Sequence, residues 1–209
     1  MGDQFDVTGV IVMQHRQTYR LVLLSIFTAI IILQNFIPFL GYIPVGPFSL
    51  TLIHITVIIA ALVLGPLDGA LVGGIWGLIT FIRAYTFPTS PIAPIVFTNP
   101  LISVLPRVLI GLVAGYVYLG LKKVKVFDWL SMVIAGVLGS LTNTILVLGL
   151  IYLFYRVPYA NVLHMDVTKL LPALLMVVLT NGLAEAVAAG IISPAVAGPL
   201  RKIRKYRNQ

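Results

Sequence analysis

Cysteine is absent from this chain of 209 residues, which removes disulfides, thiolate metal ligands and cysteine nucleophiles together. Charge is scarce as well: Asp, Glu, Lys and Arg make up 10% of the residues, against about a quarter in a soluble domain. There is no P-loop, so any work driven by ATP must come from another polypeptide. HExxH, GxSxG and Asp-rich diphosphate motifs are missing too, and the three histidines are too scattered to suggest a metal site. No metal or cofactor is expected. The N-terminus lacks a cleavable signal pattern; its first apolar stretch reads as a spanning helix.

What is present is apolar. Residues of the AVILMFWYC set fill 59% of the chain, and the mean hydropathy is +1.05. About 20 apolar residues at roughly 1.5 Å per residue cross a bilayer core of about 30 Å. Six segments qualify, near 19–36, 49–64, 66–83, 103–121, 128–155 and 169–196, the second of them short. The expected fold is an all-α membrane bundle of six spanning helices. The whole chain, 1–209, is expected to form one membrane domain, because the head before Tyr19 and the basic tail 200–209 are too short to bury a core. The first helix is expected to stop at Pro38, and Pro172 falls in the first turn of the sixth, where its missing N–H costs little.

The net charge of +8 is not spread as a nucleic-acid footprint. Six spans put both termini on one side. With that side cytoplasmic, ten of the fourteen Lys and Arg lie inside: Arg16, Arg20, Lys122, Lys123, Lys125, Arg201, Lys202, Arg204, Lys205 and Arg207. Arg83, Arg107, Arg156 and Lys169 remain outside. The inner connections are tight, as at Gly65-Pro66. Two outer ones, 36–48 and 84–102, are long, apolar and rich in proline. Stiff loops of that kind must lie on something, so they are expected to cap the outer mouth of the bundle; lying in the headgroup region is the alternative.

Polar residues inside such a bundle are where function is to be sought. Asn143 in the fifth helix and Asn181 in the sixth both fall about 15 Å below the outer surface, counted at 1.5 Å per residue. They sit in matching stretches, Leu141-Thr142-Asn143-Thr144 and Leu179-Thr180-Asn181-Gly182. Glu185 follows Asn181 by four residues and so shares its face one turn deeper. Asn and Thr also serve as interhelical glue, worth about 0.6 kcal/mol on average, and Glu185 could be a structural anchor. Arg107, Arg83 and His54 place cationic or donor groups near the same mouth, the arginines being suited to a carboxylate or phosphate. Snorkelling to the interface competes for each arginine, and a satisfied core histidine competes for His54. Tyr42, Trp76, Tyr85, Phe87 and Phe97 could line an apolar pocket there or form an interfacial belt. Small residues recur every fourth position at Gly69, Gly73 and Gly77, and at Ser25 and Ala29, a pattern that lets helices approach closely.

This pattern resembles the substrate-binding S components of energy-coupling factor (ECF) vitamin transporters. The stretch from Ile37 to Gly77, the Leu105-Pro106-Arg107 step, the Leu141–Thr144 segment and Asn181-Gly182-x-x-Glu185 resemble the pantothenate and hydroxymethylpyrimidine branch, and the likeness covers nearly the whole chain. It implies a non-enzymatic vitamin-capture subunit in a bacterial cell membrane, with two cytoplasmic ATPases and a transmembrane T component as partners besides the lipid. It also implies a ligand site in the outer half of helices four to six, and a docking face on helix one. There Ser25 stands first in an Ala-x-x-x-Ala motif that Ala29 completes. Pantothenate, with its carboxylate, hydroxyls and amide, suits Asn143, Asn181, Glu185 and an arginine better than hydroxymethylpyrimidine does. A self-sufficient ion-coupled transporter using Glu185, and an intramembrane enzyme using Glu185 and His54, are the competing functions.

Overall fold

A computed structural model of the chain describes residues 7–37, 39–45 and 48–207, and the side chains of residues 17–37, 39–43 and 50–203. Helix α1 (Val7–Phe36) leads to a hairpin of β1 (Tyr42–Val45) and β2 (Phe48–Thr51), followed by α2 (Ile53–Leu64) and α3 (Pro66–Thr86). Two single-turn helices, α4 (Ala93–Val96) and α5 (Pro100–Ser103), precede α6 (Leu105–Lys123) and α7 (Asp128–Val162). A final helical run comprises α8 (Val167–Val177), a π-helical turn (Val178–Gly182) and α9 (Leu183–Arg207). Among the described residues, five helical runs are long and apolar enough to cross a membrane, which makes this an all-α membrane protein in all but its short hairpin.

Some expected boundaries are corrected. The second helix begins at Ile53 rather than near 49, because Phe48–Thr51 pairs with Tyr42–Val45 in antiparallel register. The fifth helix breaks at its expected end, Tyr155, which leaves helical geometry (φ −129°, ψ 17°), and a second helical piece then continues to Val162. Pro158 explains the bend, since its ring cannot donate to the carbonyl of Phe154 and clashes with it. The first and last helices also run further than expected, from Val7 and to Arg207. Pro38, the expected stop of the first helix, lies outside the described residues, as do the side chains of Arg16, Arg204, Lys205 and Arg207. The 84–102 connection is partly helical, each short helix opening on a proline at its start (Pro94, Pro100). Asn99 caps the second by accepting from the Leu101 N–H at 3.0 Å.

The 12 residues of α2 reach only about 18 Å. Every residue from Ile53 to Val63 is buried, as expected for a helix apolar all round. It packs on α1, α3, α6, α7 and α9 and forms the axis of the core. Gly65, at φ +118°, turns the chain from α2 into α3 in a conformation that side chains disfavour, and Pro66 then opens α3. The glycine series of α3 is an internal seam. A Cβ on Gly73 would overlap the carbonyl of Arg107, and one on Gly111 would overlap the backbone of Gly69. Backbone thus meets backbone where α3 crosses α6.

At the basic end of the bundle, Arg20 of α1 grips Asp68 of α3 through Nε at 2.7 and 3.0 Å. Arg201 of α9 donates to the Leu62 carbonyl at 2.5 Å and lies 4.3 Å from the centre of the Tyr118 ring. Lys122 pairs with Asp128 at 3.2 Å. These contacts bring the start of α1 and the end of α9 to one end of the bundle. The hairpin and the two short helices lie at the other.

Candidate functional site

Beneath the hairpin lies a cavity of about 670 Å³. Its wall combines the outer turn of α1, the hairpin, α3, α4, α6, α7 and the π-helical turn with α9. Arg107, Asn143, Asn181, Glu185 and Arg83 all line it. His54 does not: it is wholly buried in α2, behind the cavity wall, with its ring close to the backbone of Thr51 and Glu185.

Arg107 sits one turn into α6, started by Pro106, and is 5% exposed. Its guanidinium lies 5.0 Å from the centre of the Trp76 ring and 5.2 Å from that of Phe97. Nη1 donates to the Ile102 carbonyl at 2.6 Å, and buried Nε has no partner. The charge is therefore held by two aromatic faces and one carbonyl, with donor capacity left over. Arg83 is differently placed. Its Nη1 donates to the Asn35 carbonyl at the end of α1, and its guanidinium lies 5.3 Å from the centre of the Phe36 ring. That ties α1 to α3 at the cavity rim. Of the aromatic residues singled out in the sequence, Tyr42 and Phe97 line the cavity and Trp76 backs Arg107. Tyr85 and Phe87 face outward.

In the part of the wall that α7 supplies, Asn143 is buried with its Oδ1 unpaired. Asn181 falls within the π-helical turn, a distortion that shifts the side chains after it around the helix axis. Glu185, the single glutamate of the sequence, is 6% exposed. Its Oε1 accepts from the Thr51 backbone N–H at 2.6 Å, and its Oε2 from the Thr144 hydroxyl at 3.2 Å. Gly182 lets α9 close on α7 at this level, since a Cβ there would stand 3.1 Å from Thr144 Cγ2. Thr142 and Thr180, by contrast, donate to carbonyls four residues back in their own helices, at 2.7 and 2.8 Å. Among the described residues no group of three His, Asp or Glu side chains gathers to hold a metal.

Thr51, Thr144 and Gly182 carry no signal of their own in the sequence. Thr144 stands inside the Leu141–Thr144 segment, which is the one pointer to it. Thr51 contributes a backbone N–H, which no side-chain pattern advertises. Away from the cavity, Ser25 and Ala29 are exposed on α1 among Leu21, Val22, Ile26 and Leu33.

Comparison with known proteins places this geometry in a family. Residues 19–197 match the family described as "ECF transporter, substrate-specific component". A pantothenate transporter, PanT, of Leuconostoc mesenteroides subsp. mesenteroides is 36% identical over 194 residues, covering 90% of this chain and 95% of the relative. A pantothenic acid transporter, PanT, of Lactococcus lactis subsp. cremoris is 35% identical over 196 residues, covering 87% of this chain and 93% of the relative. The chain belongs to the family of substrate-specific components of ECF transporters.

Proposed function

We propose that this protein captures pantothenate at the outer face of a bacterial plasma membrane for uptake by an ATP-driven ECF transporter. In this reading residues 1–209 act as one unit that passes the membrane six times. The hairpin and α2 together make the second pass, and both termini face the cytoplasm. A transmembrane T component docks on the Ser25/Ala29 face of α1, and two cytoplasmic ATPases supply the energy.

The observation that carries the reading is the charge of the cavity wall. Two arginines stand against one carboxylate, a formal surplus of one positive charge inside an apolar bundle. That surplus matches a ligand with one carboxylate, and both PanT relatives are named for such a ligand. Hydroxymethylpyrimidine is neutral and leaves the surplus unanswered. The volume falls within the roughly 300–1,000 Å³ of small-molecule sites. The ligand carboxylate pairs with Arg107, whose planar fork has donors to spare. The hydroxyls and amide meet Asn143, Asn181 and Glu185, and the hairpin wall excludes water, which strengthens each contact. Arg83 adds positive potential at the rim while holding α1 in place.

Mass spectrometry of the small molecule that co-purifies with the chain tests the assignment, with calorimetry against pantothenate and hydroxymethylpyrimidine. Pantothenate is expected in both. Asn143→Ala and Asn181→Ala should each weaken its binding by about tenfold, the worth of one hydrogen bond of about 1.4 kcal/mol. Tighter binding of the pyrimidine, or uptake into vesicles that lack the ATPases, overturns the reading.

A further inference from the structure

We propose that Glu185 also acts as the catch that holds the β1–β2 hairpin against the cavity. The inference starts from the hairpin's hydrogen bonding. The Leu52 N–H donates to the Gly41 carbonyl at 2.8 Å, which makes the facing pair Tyr42 and Thr51 the kind that exchanges no bonds of its own. The Thr51 N–H therefore points away from β1, onto the free edge of a sheet of only two strands. Two-stranded hairpins are marginally stable alone, and an edge N–H turned into an apolar bundle needs an acceptor.

The acceptor comes from 134 residues further along the chain. Glu185 Oε1 takes the Thr51 N–H at 2.6 Å, the short distance of a bond to a charged acceptor. Its aim is fixed from behind. Thr144 holds the second oxygen, Gly182 lets α7 and α9 close, and the π-helical turn sets the direction of the helix face. The hairpin's own entry is equally tight, since a Cβ on Gly41 would overlap the carbonyl of Gln34 in α1. The base of the hairpin is thus held on both strands, at Gly41 by close packing on α1 and at Thr51 by the Glu185 carboxylate just before the chain enters α2. Tyr42 and Thr51 also line the cavity, so loosening the hairpin at the Thr51–Glu185 bond loosens the wall over a bound ligand. Glu185 is a positioning residue for the hairpin in addition to its place on the ligand wall, and the catch sets how fast ligand escapes.

The ligand part of this inference rests on the capture reading above; the catch itself does not, so the two are tested separately. The first measurement is hydrogen exchange of the 42–51 backbone in the full chain, ligand-free, in lipid nanodiscs. Glu185→Ala and Thr51→Pro, the latter deleting the donor on a different element, should each speed exchange of the hairpin by about tenfold or more while α6 and α7 stay protected. Glu185→Gln keeps an acceptor oxygen and should stay within about threefold of wild type. Unchanged hairpin exchange in Glu185→Ala overturns the catch. The second measurement is pantothenate dissociation by stopped flow. Thr51→Pro, which removes only a backbone donor of the hairpin, should speed release by about tenfold while association changes by less than about threefold. Unchanged release in Thr51→Pro overturns the link between catch and escape. Failure of wild type to bind pantothenate overturns the capture reading and leaves the exchange result to decide the catch.

Discussion

Replacing Arg107 by lysine tests the anion site most directly. The charge stays, while the planar fork and its stacking are lost. The stacking on Trp76 and Phe97 exists before any ligand arrives, so its loss, about 0.5–2 kcal/mol, should appear as reduced thermal stability rather than reduced affinity. The affinity change comes from the ligand side. A guanidinium with Nη1 committed to Ile102 still offers two donors to a carboxylate, whereas a lysine ammonium meets it as a point charge. Losing one charge-assisted hydrogen bond costs about 1.5–3 kcal/mol, or roughly 10- to 150-fold in Kd. Calorimetry on wild type and Arg107→Lys, each against pantothenate and its alcohol analogue pantothenol, isolates that contribution. Wild type should bind pantothenol far more weakly than pantothenate. Arg107→Lys should lose its factor for pantothenate and little for pantothenol. Equal losses for both ligands would show that Arg107 shapes the cavity without meeting the carboxylate, and the reasoning from wall charge would fail.

Gly73→Ala places a Cβ on the Arg107 carbonyl and should lower stability by about 1–3 kcal/mol in thermal unfolding. The neighbouring Gly74→Ala, whose Cβ meets only Val108 Cγ2 at 3.5 Å, should be neutral or mildly stabilising. Ala29→Leu, on the uncovered face of α1, should leave pantothenate binding by the isolated subunit intact and abolish co-purification with the T component; a full complex that still transports removes that face from the docking proposal. Asp166, outside the membrane-spanning run, caps α8 by accepting from the Thr168 N–H at 2.8 Å and its hydroxyl at 2.7 Å, bonds that hold its carboxyl below the usual aspartate range. Its contribution to the start of α8 is therefore complete above the ordinary aspartate pKa and fades as pH falls through the depressed one. A carboxyl titration by NMR should find the midpoint shifted down, and Asp166→Asn should abolish the pH dependence of exchange in the first turn.

The bilayer makes most of this bundle legible. Apolar length and the turn at Gly65-Pro66 place the end of α2 and the start of α3, and bring α6 within two residues at each end, because lipid leaves a backbone few options. What stays hidden is local and polar. The hairpin lies within a proline-rich apolar loop, and although Phe48-Ser49-Leu50-Thr51 alternates apolar and polar residues, four residues running straight into the apolar stretch of α2 are too few to set a strand apart from a helix start. The bend at Tyr155 reads as an end, since a proline three residues on stops some helices and bends others. Counting depth along two helices brings Asn143 and Asn181 to one level with Glu185 one turn deeper, and rise per residue is enough for that. The same counting cannot say what a helix presents to its neighbours. That is why His54, at a plausible depth, stays buried behind the cavity wall, and why Arg83 spends a donor on Asn35. The Thr51–Glu185 bond lies beyond sequence reasoning altogether, because its donor belongs to the backbone.

The brevity of α2 bears on how the chain enters a membrane. A rod of about 18 Å cannot bridge a hydrocarbon layer of about 30 Å, so a translocation channel cannot release it into lipid as a lone segment. Joined to α3 through the tight reversal at Gly65, it forms a helical pair whose combined apolar surface suffices. Biogenesis then has to handle the two as one cargo, and loosening the Gly65 reversal should surface as failed insertion before any defect in vitamin uptake is seen.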